Sequence, residues 1–463
     1  MAGAADEAES SGLLAGPDGN YGSSVACAGL PPKRRSCRYR VALLAGVGYT
    51  LAYAQRLVLP IGIVRMQDEF GWSKAVQGQL LGSFFIGYAI MMPIGGMVAS
   101  IHSPGRAAGL GMLTSSLLLL AMPAAARWGG SPLLGALRIA QGLLQGVIWP
   151  GFAAIWTKWA PPDERSTMSS FPQAGGYVGN VLFGAIIGAQ CDRDEALLFG
   201  GWVGAFDLTA VLGLLWALAW LCLVSDSPAQ QRQRTPTCSA AECSFVERAL
   251  GDETARAHLP ASNSGARPGL RFFCRALATP SVLAICAASW SVNIAFYILQ
   301  NALPAYTRDM HGLSFTSIGF ITAVPQVFLV AMIILAVNID LKLRANAEAI
   351  SPRTIRRVLT CAGIFANGLF FVGMGVGTLQ GMGMGAAISL FIGGYCILGL
   401  PVGAGFGVNH LDISPNAAGV IVGITNTFGS IAGVVAPWAM GSLTSESLPK
   451  CDQPFYKPTV LTV

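Results

Sequence analysis

Residues 133–166 read LLGALRIAQGLLQGVIWPGFAAIWTKWAPPDERS, and this stretch decides the fold. A helix needs about 20 mostly apolar residues to cross a bilayer, and Leu133–Trp156 supplies that length. One fixed charge, Arg138, lies inside the run, where it costs roughly 3 kcal/mol or more. Since folding does not require that charge, we interpret Arg138 as facing a watery cavity and holding an anion. The alternative is an arginine that is paired inside the helix bundle for packing alone.

Two glutamines and two glycines accompany this arginine. Gln141 and Gln145 follow Arg138 at i+3 and i+7, and the three therefore share one helix face. Gly142 and Gly146 have the small-xxx-small spacing that lets a neighbouring helix approach closely. The stretch thus predicts a closely packed membrane helix that carries a polar face.

Composition places most of the chain in a lipid bilayer. The 463 residues are 53% hydrophobic and 11% charged, whereas a soluble domain carries about 25% charged residues. Enzyme motifs such as GxSxG, a Walker loop and HExxH are absent, and the four histidines and eleven cysteines show no metal-ligand spacing. We therefore expect no enzyme and no cofactor beyond a coupling ion. The expected partners are a lipid bilayer and a small anionic solute, with no nucleic acid and no obligate protein partner.

Hydropathy divides the chain into two bundles. Residues 1–40 lack the apolar core of a signal peptide and are expected to form a disordered cytoplasmic tail. A first bundle at 41–224 holds six spans, a polar segment at 225–275 reads as a cytoplasmic linker, a second bundle at 276–442 holds five spans, and 443–463 form a polar tail. The spans are expected near 41–64, 76–100, 107–126, 133–156, 169–190, 200–224, 281–303, 313–337, 357–376, 382–408 and 416–442.

This order of spans is the layout of the major facilitator fold. That fold has two six-helix halves related by an axis along the membrane normal. Since the second bundle here has five spans, we expect an all-α polytopic membrane protein of 11 spans in which the twelfth helix is missing.

Lysine and arginine are distributed unevenly between the two sides of the membrane. Cytoplasmic loops carry the excess of these residues, so the pattern predicts an integral membrane protein with a cytoplasmic N-terminus. The inner segments carry the arginines of the linker and Lys33, Arg34, Arg35, Arg38, Arg40, Arg106, Lys158, Arg165, Lys342, Arg344, Arg353, Arg356 and Arg357, while the outer loops carry Arg65, Lys74, Arg127, Arg193 and Arg308.

A short motif in the N-terminal tail bears on location. Glu9, Leu13 and Leu14 lie in ESSGLL, which has the form of an acidic dileucine sorting signal, although so short a pattern also occurs by chance. Such signals direct membrane proteins to endosomes, lysosomes or vacuoles. The expected location is the plasma membrane or an endosomal, lysosomal or vacuolar membrane.

Two arginines are predicted at similar depth. At 1.5 Å per residue, Arg56 on the first span lies roughly 12 Å below the outer surface and Arg138 about 8 Å below it, so both could converge on one anion. A guanidinium group suits this task because its planar fork matches carboxylate or phosphate oxygens and it stays charged. The alternative is neutralisation by a protein acid, for which Asp207 on the sixth span is the candidate. Asp207 would then be a proton-coupling acid or a structural partner.

Other polar residues are expected to shape the cavity beside the arginines. Gln145 shares the face of Arg138, while Asn293 and Tyr297 lie at i and i+4 on the span that begins the second bundle. The alternative for each is an interhelical hydrogen bond, worth about 0.6–2 kcal/mol.

Several longer stretches resemble one known group, the anion:cation symporter family of sodium–phosphate cotransporters, vesicular glutamate transporters and sialin. The most specific signatures are KWAPPDERS and NHLDISP. The resemblance implies transport of small anions, driven by sodium, protons or membrane voltage, and it implies substrate-binding arginines at Arg56 and Arg138. The matching stretches are FGWSKAVQGQLLGSFFIGYAIMMPIGG, LRIAQGLLQGVIWPGFAAIWTKWAPPDERS, FYILQNALPAY, TAVPQ and GFGVNHLDISPNAAGVIVGITNTFGSIAGVVAP.

Three positions depart from parts of that family. Many proton-linked members carry a glutamate at Gln145, which argues against that route of proton coupling and favours the phosphate-type branch. Glutamate carriers have a histidine at Leu81 and an arginine at Val292, which argues against vesicular glutamate transport. We therefore expect a secondary active transporter of phosphate-like or carboxylate anions that works by alternating access. The alternative is a non-transporting membrane sensor or assembly partner that kept the fold.

Overall fold

A computed structural model describes residues 36–101, 103–193, 200–235, 238–257, 277–345, 351–407, 409 and 418–444. Every regular element in these ranges is a helix, which confirms the predicted all-α fold. The expected sorting signal at Glu9, Leu13 and Leu14 lies outside the described residues, as does most of the NHLDISP motif.

The first bundle contains six helical elements. We call the membrane face at which α1 begins the N-terminal face, and the opposite one the far face. The elements are α1 (Cys37–Phe70), α2 (Lys74–Ile101), α3 (Pro104–Gln145), α4 (Ile148–Trp159), α5 (Pro162–Cys191) and α6 (Gly201–Leu223).

Helix α3 folds back on itself at the far face. Gly130 has φ 59° and ψ −157°, a conformation that is open to glycine because it has no Cβ. A Cβ atom at Gly111 would lie 2.7 Å from the carbonyl oxygen of Leu144, so the two arms of α3 lie side by side and antiparallel. Helix α4 continues the second arm, and Pro104–Trp159 therefore supplies two crossings.

The other described elements are two helices of the linker and the helices of the second bundle. In the described part of the chain ten helical stretches are long and apolar enough to cross a membrane. Because one of them, Pro104–Trp159, crosses twice, these ten stretches supply 11 crossings, which agrees with the number of spans predicted. The elements are α7 (Pro228–Arg234), α8 (Ala240–Ala257), α9 (Pro280–His311), α10 (Phe315–Ala345), α11 (Pro352–Leu379), α12 (Met384–Ile397), α13 (Gly399–Gly403) and α14 (Ala418–Leu443).

The segment expected to be a plain linker contains α7 and α8, and one carboxylate holds α8 on the first bundle. Glu242 of α8 is 1% exposed and accepts hydrogen bonds from the Ser36 hydroxyl and from the backbone N–H groups of Cys37 (2.9 Å) and Arg38 (3.1 Å). Burial acts to raise the pKa of Glu242, but these hydrogen bonds and the charge of Arg38 together hold the pKa below its ordinary value. Arg38 also pairs with Glu164 of α5 at 2.8 Å. Helix α8 is therefore part of the first bundle at the N-terminal face.

The two bundles meet along two seams, α2 with α14 and α5 with α10. Glycines let the backbones approach: a Cβ atom would lie 2.3 Å from the Pro437 oxygen at Gly78 and 2.3 Å from the Phe315 oxygen at Gly188. Polar contacts reinforce these seams at the far face, where Lys74 pairs with Asp309 at 2.6 Å. Asp192 accepts from the backbone N–H groups of Phe315 and Thr316 and from the Thr316 hydroxyl. The bundles are thus joined at the far face.

Candidate functional site

Two arginines from the first bundle converge on one aromatic ring of α2. The guanidinium carbon of Arg56 (α1) and that of Arg138 (second arm of α3) each lie 5.1 Å from the centroid of the Phe84 ring. Arg56 also lies 4.3 Å from the ring centroid of Tyr88 and 5.0 Å from that of Tyr53. Cation–π contacts stabilise a desolvated guanidinium group, so these rings support both charges at membrane depth.

Both arginines donate hydrogen bonds to neutral amide side chains. Arg56 Nε donates to Gln145 Oε1 at 3.1 Å, and Arg138 Nη1 donates to Gln141 Oε1 at 2.7 Å. No carboxylate of the described residues forms an ion pair with either arginine. Two like charges therefore lie close together without a counterion from this part of the chain, which is costly unless an anion joins them.

Two buried donor atoms, one on Arg138 and one on Gln141, have no hydrogen-bond acceptor. Arg138 is 2% exposed and Gln141 is fully buried, yet Arg138 Nε and Gln141 Nε2 have no hydrogen-bond partner. Nearly all buried polar atoms are hydrogen-bonded in folded proteins. Because both unpaired atoms are donors, what the site lacks is an acceptor, and an anionic oxygen would satisfy both the hydrogen bonds and the charge.

A neutral network fixes Gln145 in place. Its Nε2 donates to Gln55 Oε1 at 2.9 Å and to Ser115 Oγ at 3.0 Å, while Gln55 Nε2 donates to Ser116 Oγ at 2.7 Å. With its amide nitrogen held in this way, Gln145 presents Oε1 to Arg56. The sequence interpretation did not include Gln55, Ser115 or Ser116. A signal was present, since Gln55 precedes Arg56 and the serine pair interrupts an apolar run.

Tyr297 and Asn293, the two residues of α9 expected to shape the cavity, have different surroundings in the structure. The Tyr297 ring lies 4.4 Å from that of Phe85, which is itself 5.2 Å from the Phe84 ring, so Tyr297 brings the second bundle to the arginine cluster. The Asn293 amide donates to the Ser289 carbonyl oxygen at 2.8 Å and packs against Gly429 of α14. Asn293 is thus bonded to its own helix.

Asp207 lies half-buried on α6. Within the described ranges it forms no ion pair or hydrogen bond with Arg56 or Arg138, so the pairing considered from the sequence is absent there. Nor does this part of the chain contain a group of three or more His, Cys, Asp or Glu side chains that could hold a metal.

Two cavities open toward the membrane faces. One of about 300 Å³ lies at the far face beside Arg65, Arg308 and Phe315. The other, of about 520 Å³, lies at the N-terminal face beside Arg106 and Asp226. Neither is lined by Arg56 or Arg138, so the arginine pair is separate from both.

Comparisons with known proteins agree with this architecture. Residues 45–437 match the sequence model of the Major Facilitator Superfamily. Sialin of Ovis aries is 30% identical over 444 residues, which cover 89% of this chain and 84% of that protein. Vesicular glutamate transporter 2 of Homo sapiens is 30% identical over 433 residues, covering 90% and 70% of the two chains.

Solved structures show the same fold at lower identity. The inward-facing, unoccupied structure of a bacterial homologue of the human lysosomal transporter Spinster has a TM-score of 0.67 at 17% identity and covers 89% of this chain and 83% of its own. A D-xylose–proton symporter has a TM-score of 0.62 at 14% identity, covering 87% and 89%.

Proposed function

The chain belongs to the Major Facilitator Superfamily and, within it, to the anion:cation symporter family, and we propose that it carries a small organic or inorganic anion by alternating access. It is a multi-pass membrane protein of a family of transporters that are not enzymes. The anion would bind between Arg56 and Arg138, with Gln145 and Tyr297 lining the site.

The unsatisfied donors beside Arg138 carry this proposal. Arg138 Nε and Gln141 Nε2 are both buried without an acceptor, and the guanidinium groups of Arg56 and Arg138 approach one ring from different helices. A carboxylate or phosphate offers several acceptor oxygens and a compensating charge, so one such anion would satisfy both needs.

We propose alternating access because Tyr297 of the second bundle packs on Phe85, next to the Phe84 ring that both arginines contact. The contacts of Lys74 with Asp309 and of Asp192 with Thr316 join the bundles at the far face. We propose that the far face is the outer or lumenal side, because the loops rich in lysine and arginine lie at the N-terminal face. This conformation would then be closed to the outside, and separation of the far-face contacts would expose the site there.

The proposed driving force is the membrane potential acting on the anion. The residues that contact Arg56 and Arg138 are amides and aromatic rings, so no carboxylate among these contacts exchanges a proton with solvent. Moving one charge through the potential is worth about 2.3 kcal/mol per 100 mV. Sodium or proton coupling elsewhere in the chain is the alternative, and imposing each gradient separately on the same vesicles distinguishes the three.

We propose a vesicular, endosomal or lysosomal membrane as the location. The dileucine-like signal at Glu9, Leu13 and Leu14 supports this, as does the similarity to transporters named vesicular. If the sorting machinery of the cell recognises this signal, the double variant Leu13→Ala, Leu14→Ala moves a fluorescent fusion of the protein to the plasma membrane. An unchanged distribution of the fusion would contradict a role of this signal in sorting.

Uptake into proteoliposomes tests the anion site. The full-length chain is reconstituted with a potential positive inside and given labelled phosphate or labelled D-gluconate. We expect Arg138→Gln to reduce saturable uptake to background. Arg357→Gln is the matched control, because Arg357 is exposed at the N-terminal face and its loss is expected to leave uptake unchanged.

The outcome separates the alternatives. Unchanged uptake in Arg138→Gln overturns the site assignment. Anion binding by the parent without flux under any imposed gradient indicates the sensor or assembly role instead.

A further inference from the structure

A second polar cluster lies at the seam between α5 of the first bundle and α10 of the second. Gln300 Nε2 of α9 donates to Asn180 Oδ1 of α5 at 3.4 Å. Gln326 Nε2 of α10 donates to the hydroxyl of Tyr395 of α12. The cluster therefore draws its members from both bundles.

Helix register places Asn180 and Gln326 at the same level of this seam. The helices are antiparallel there, since Gly188 packs against Phe315 and Gly184 against Ala323. Asn180 precedes Gly184 by four residues and Gln326 follows Ala323 by three, and both spacings preserve the helix face. Both amides thus face the seam, one turn farther from the far face than Gly184.

Each amide leaves one buried atom without a partner. Asn180 and Gln326 are each 2% exposed, yet Asn180 Nδ2 and Gln326 Oε1 form no hydrogen bond. One unpaired atom is a donor and the other is an acceptor. A ligand group that both donates and accepts, such as a hydroxyl or an amide, would satisfy the two together.

The second bundle offers no charge at this depth. The sequence contains no Asp, Glu, Lys, Arg or His in 280–306, 315–339, 360–379, 384–397 or 418–443. A second charge on a ligand would therefore be buried without a counterion from these helices, which is unfavourable. The cluster suits an uncharged polar group.

Helix α5 connects this cluster to the arginine pair. The Arg56 guanidinium carbon lies 5.0 Å from the Tyr53 ring centroid, and the Tyr53 ring lies 2.8 Å from the Cβ position of Gly176. Gly176 precedes Asn180 by one helical turn. The arginine pair and this cluster are thus neighbours along α5, and a ligand that contacts both would pass beside the Tyr53 ring.

We propose that Asn180 and Gln326 bind the uncharged polar end of the substrate, so that the chain carries monovalent organic acids with a hydroxyl- or amide-bearing chain. Inorganic phosphate has no such chain, while dicarboxylates and amino acids would place a second charge in the neutral bundle. This inference rests on the proposed function, since the arginine pair holds the carboxylate.

Binding of matched probes to the purified full-length chain in nanodiscs tests this subsite. D-gluconate and hexanoate both carry one carboxylate on a six-carbon chain, and only gluconate carries hydroxyls. By calorimetry we expect gluconate to bind at least about tenfold more tightly than hexanoate, phosphate or succinate, since each satisfied buried polar pair is worth roughly a factor of ten.

Variants of Asn180 and Gln326 test whether these two residues cause the difference in affinity between gluconate and hexanoate. Asn180→Leu and Gln326→Met nearly conserve volume and are expected to bring gluconate down to the affinity of hexanoate, while hexanoate binding stays at the parental value and reports an intact fold. Asn338→Leu is the control, because Asn338 lies exposed on α10 and donates to the Ile334 carbonyl oxygen; it is expected to leave both affinities unchanged.

Two failures are distinguishable. If phosphate binds as tightly as gluconate, or the gap persists in Asn180→Leu and Gln326→Met, the subsite is overturned while the arginine site stands. If no probe binds, or binding survives Arg138→Gln, the proposed anion site fails and the subsite with it.

Discussion

The two bundles differ most in where they keep charge. The first carries Arg56, Arg138 and Asp207 within its spans, whereas the central parts of the described helices of the second contain no Asp, Glu, Lys, Arg or His. The second bundle contributes Tyr297, whose ring packs against Phe85, and Gln326, which the helix register places at the level of Asn180. We therefore propose that the first bundle recognises the charge of the ligand and the second its shape and uncharged polar groups, so that a ligand enclosed by both must match in both respects.

The largest loss of uptake is expected when the positive charge of the first bundle is neutralised. Gln145→Glu places a carboxylate where Oε1 now accepts from Arg56 at 3.1 Å. We expect uptake at pH 7 to fall by more than about tenfold, because the new charge pairs with Arg56 in place of the substrate. Uptake should then rise as the pH falls and the carboxyl becomes neutral like the parental amide, while the parent shows a flat profile.

A pH series of initial uptake rates checks this, with Gln173→Glu on α5 as a control that adds the same charge elsewhere. Equal uptake by Gln145→Glu and the parent at pH 7 would show that the charge of Arg56 does not bind the anion.

Replacing either arginine by lysine keeps the positive charge but removes the planar guanidinium group, and it is expected to weaken substrate binding less than a loss of charge. Arg56→Lys and Arg138→Lys retain one positive charge each and lose the planar guanidinium geometry. We expect about a tenfold rise in the substrate Kd for each variant, the loss of roughly one charge-assisted hydrogen bond. Calorimetry with gluconate measures it, and lysine variants that match the parent would indicate a point-charge site.

The seams couple the bundles, and Gly188 tests that coupling. A Cβ atom there would lie 2.3 Å from the Phe315 oxygen, so Gly188→Val should hold the far face open. Cys191 is 1% exposed beside this contact, and we expect its labelling by an impermeant maleimide to rise about fivefold, as read by mass spectrometry.

Gly368→Val is the control for this variant, because among the described residues no atom beyond the adjoining helix backbone lies within 4 Å of the Cβ position at Gly368. Labelling of Cys191 that stays at the parental level in Gly188→Val would show that this contact does not keep the far face closed.

The last prediction concerns stability and is expected to leave transport unchanged; it tests helix α8, which is anchored on the first bundle. Glu242→Gln should lower the free energy of unfolding by about 2 kcal/mol, the worth of hydrogen bonds to an ionised group. Because the folded-state pKa of Glu242 lies below its ordinary value, this stabilisation is present above that ordinary value and is lost as the pH falls through the lowered pKa.

Thermal unfolding of Glu242→Gln in detergent measures this, with Glu247→Gln as the control because Glu247 is exposed on the same helix. Equal melting temperatures for Glu242→Gln and Glu247→Gln at neutral pH would contradict the stabilising role.

Sequence reasoning was sufficient for the fold because bilayer thickness fixes the length of an apolar run. It separated the spans at 107–126 and 133–156, and the reversal at Gly130 lies between them. Helix α8 was missed because its buried face is short and mixed: Cys243 and Val246 are its buried apolar residues, and the carboxylate of Glu242 lies buried beside them.

The candidate site residues that the sequence could single out are those whose charge is out of place in lipid. Arg56 and Arg138 stood out for that reason, whereas Phe84, the ring on which both lie, looks like any apolar core residue. The partners of Asn293 could not be foreseen, because its choice of Ser289 as acceptor depends on how close α14 packs at Gly429.

The glycines of the seams have a mechanical consequence. At Gly78, Gly82, Gly184 and Gly188 the backbone of one bundle packs directly against the other bundle, so at these four positions no long side chain has to change rotamer when the bundles separate. We therefore expect a low barrier to sliding along these stretches, and we expect the ion pair of Lys74 with Asp309 to set how often the far face opens.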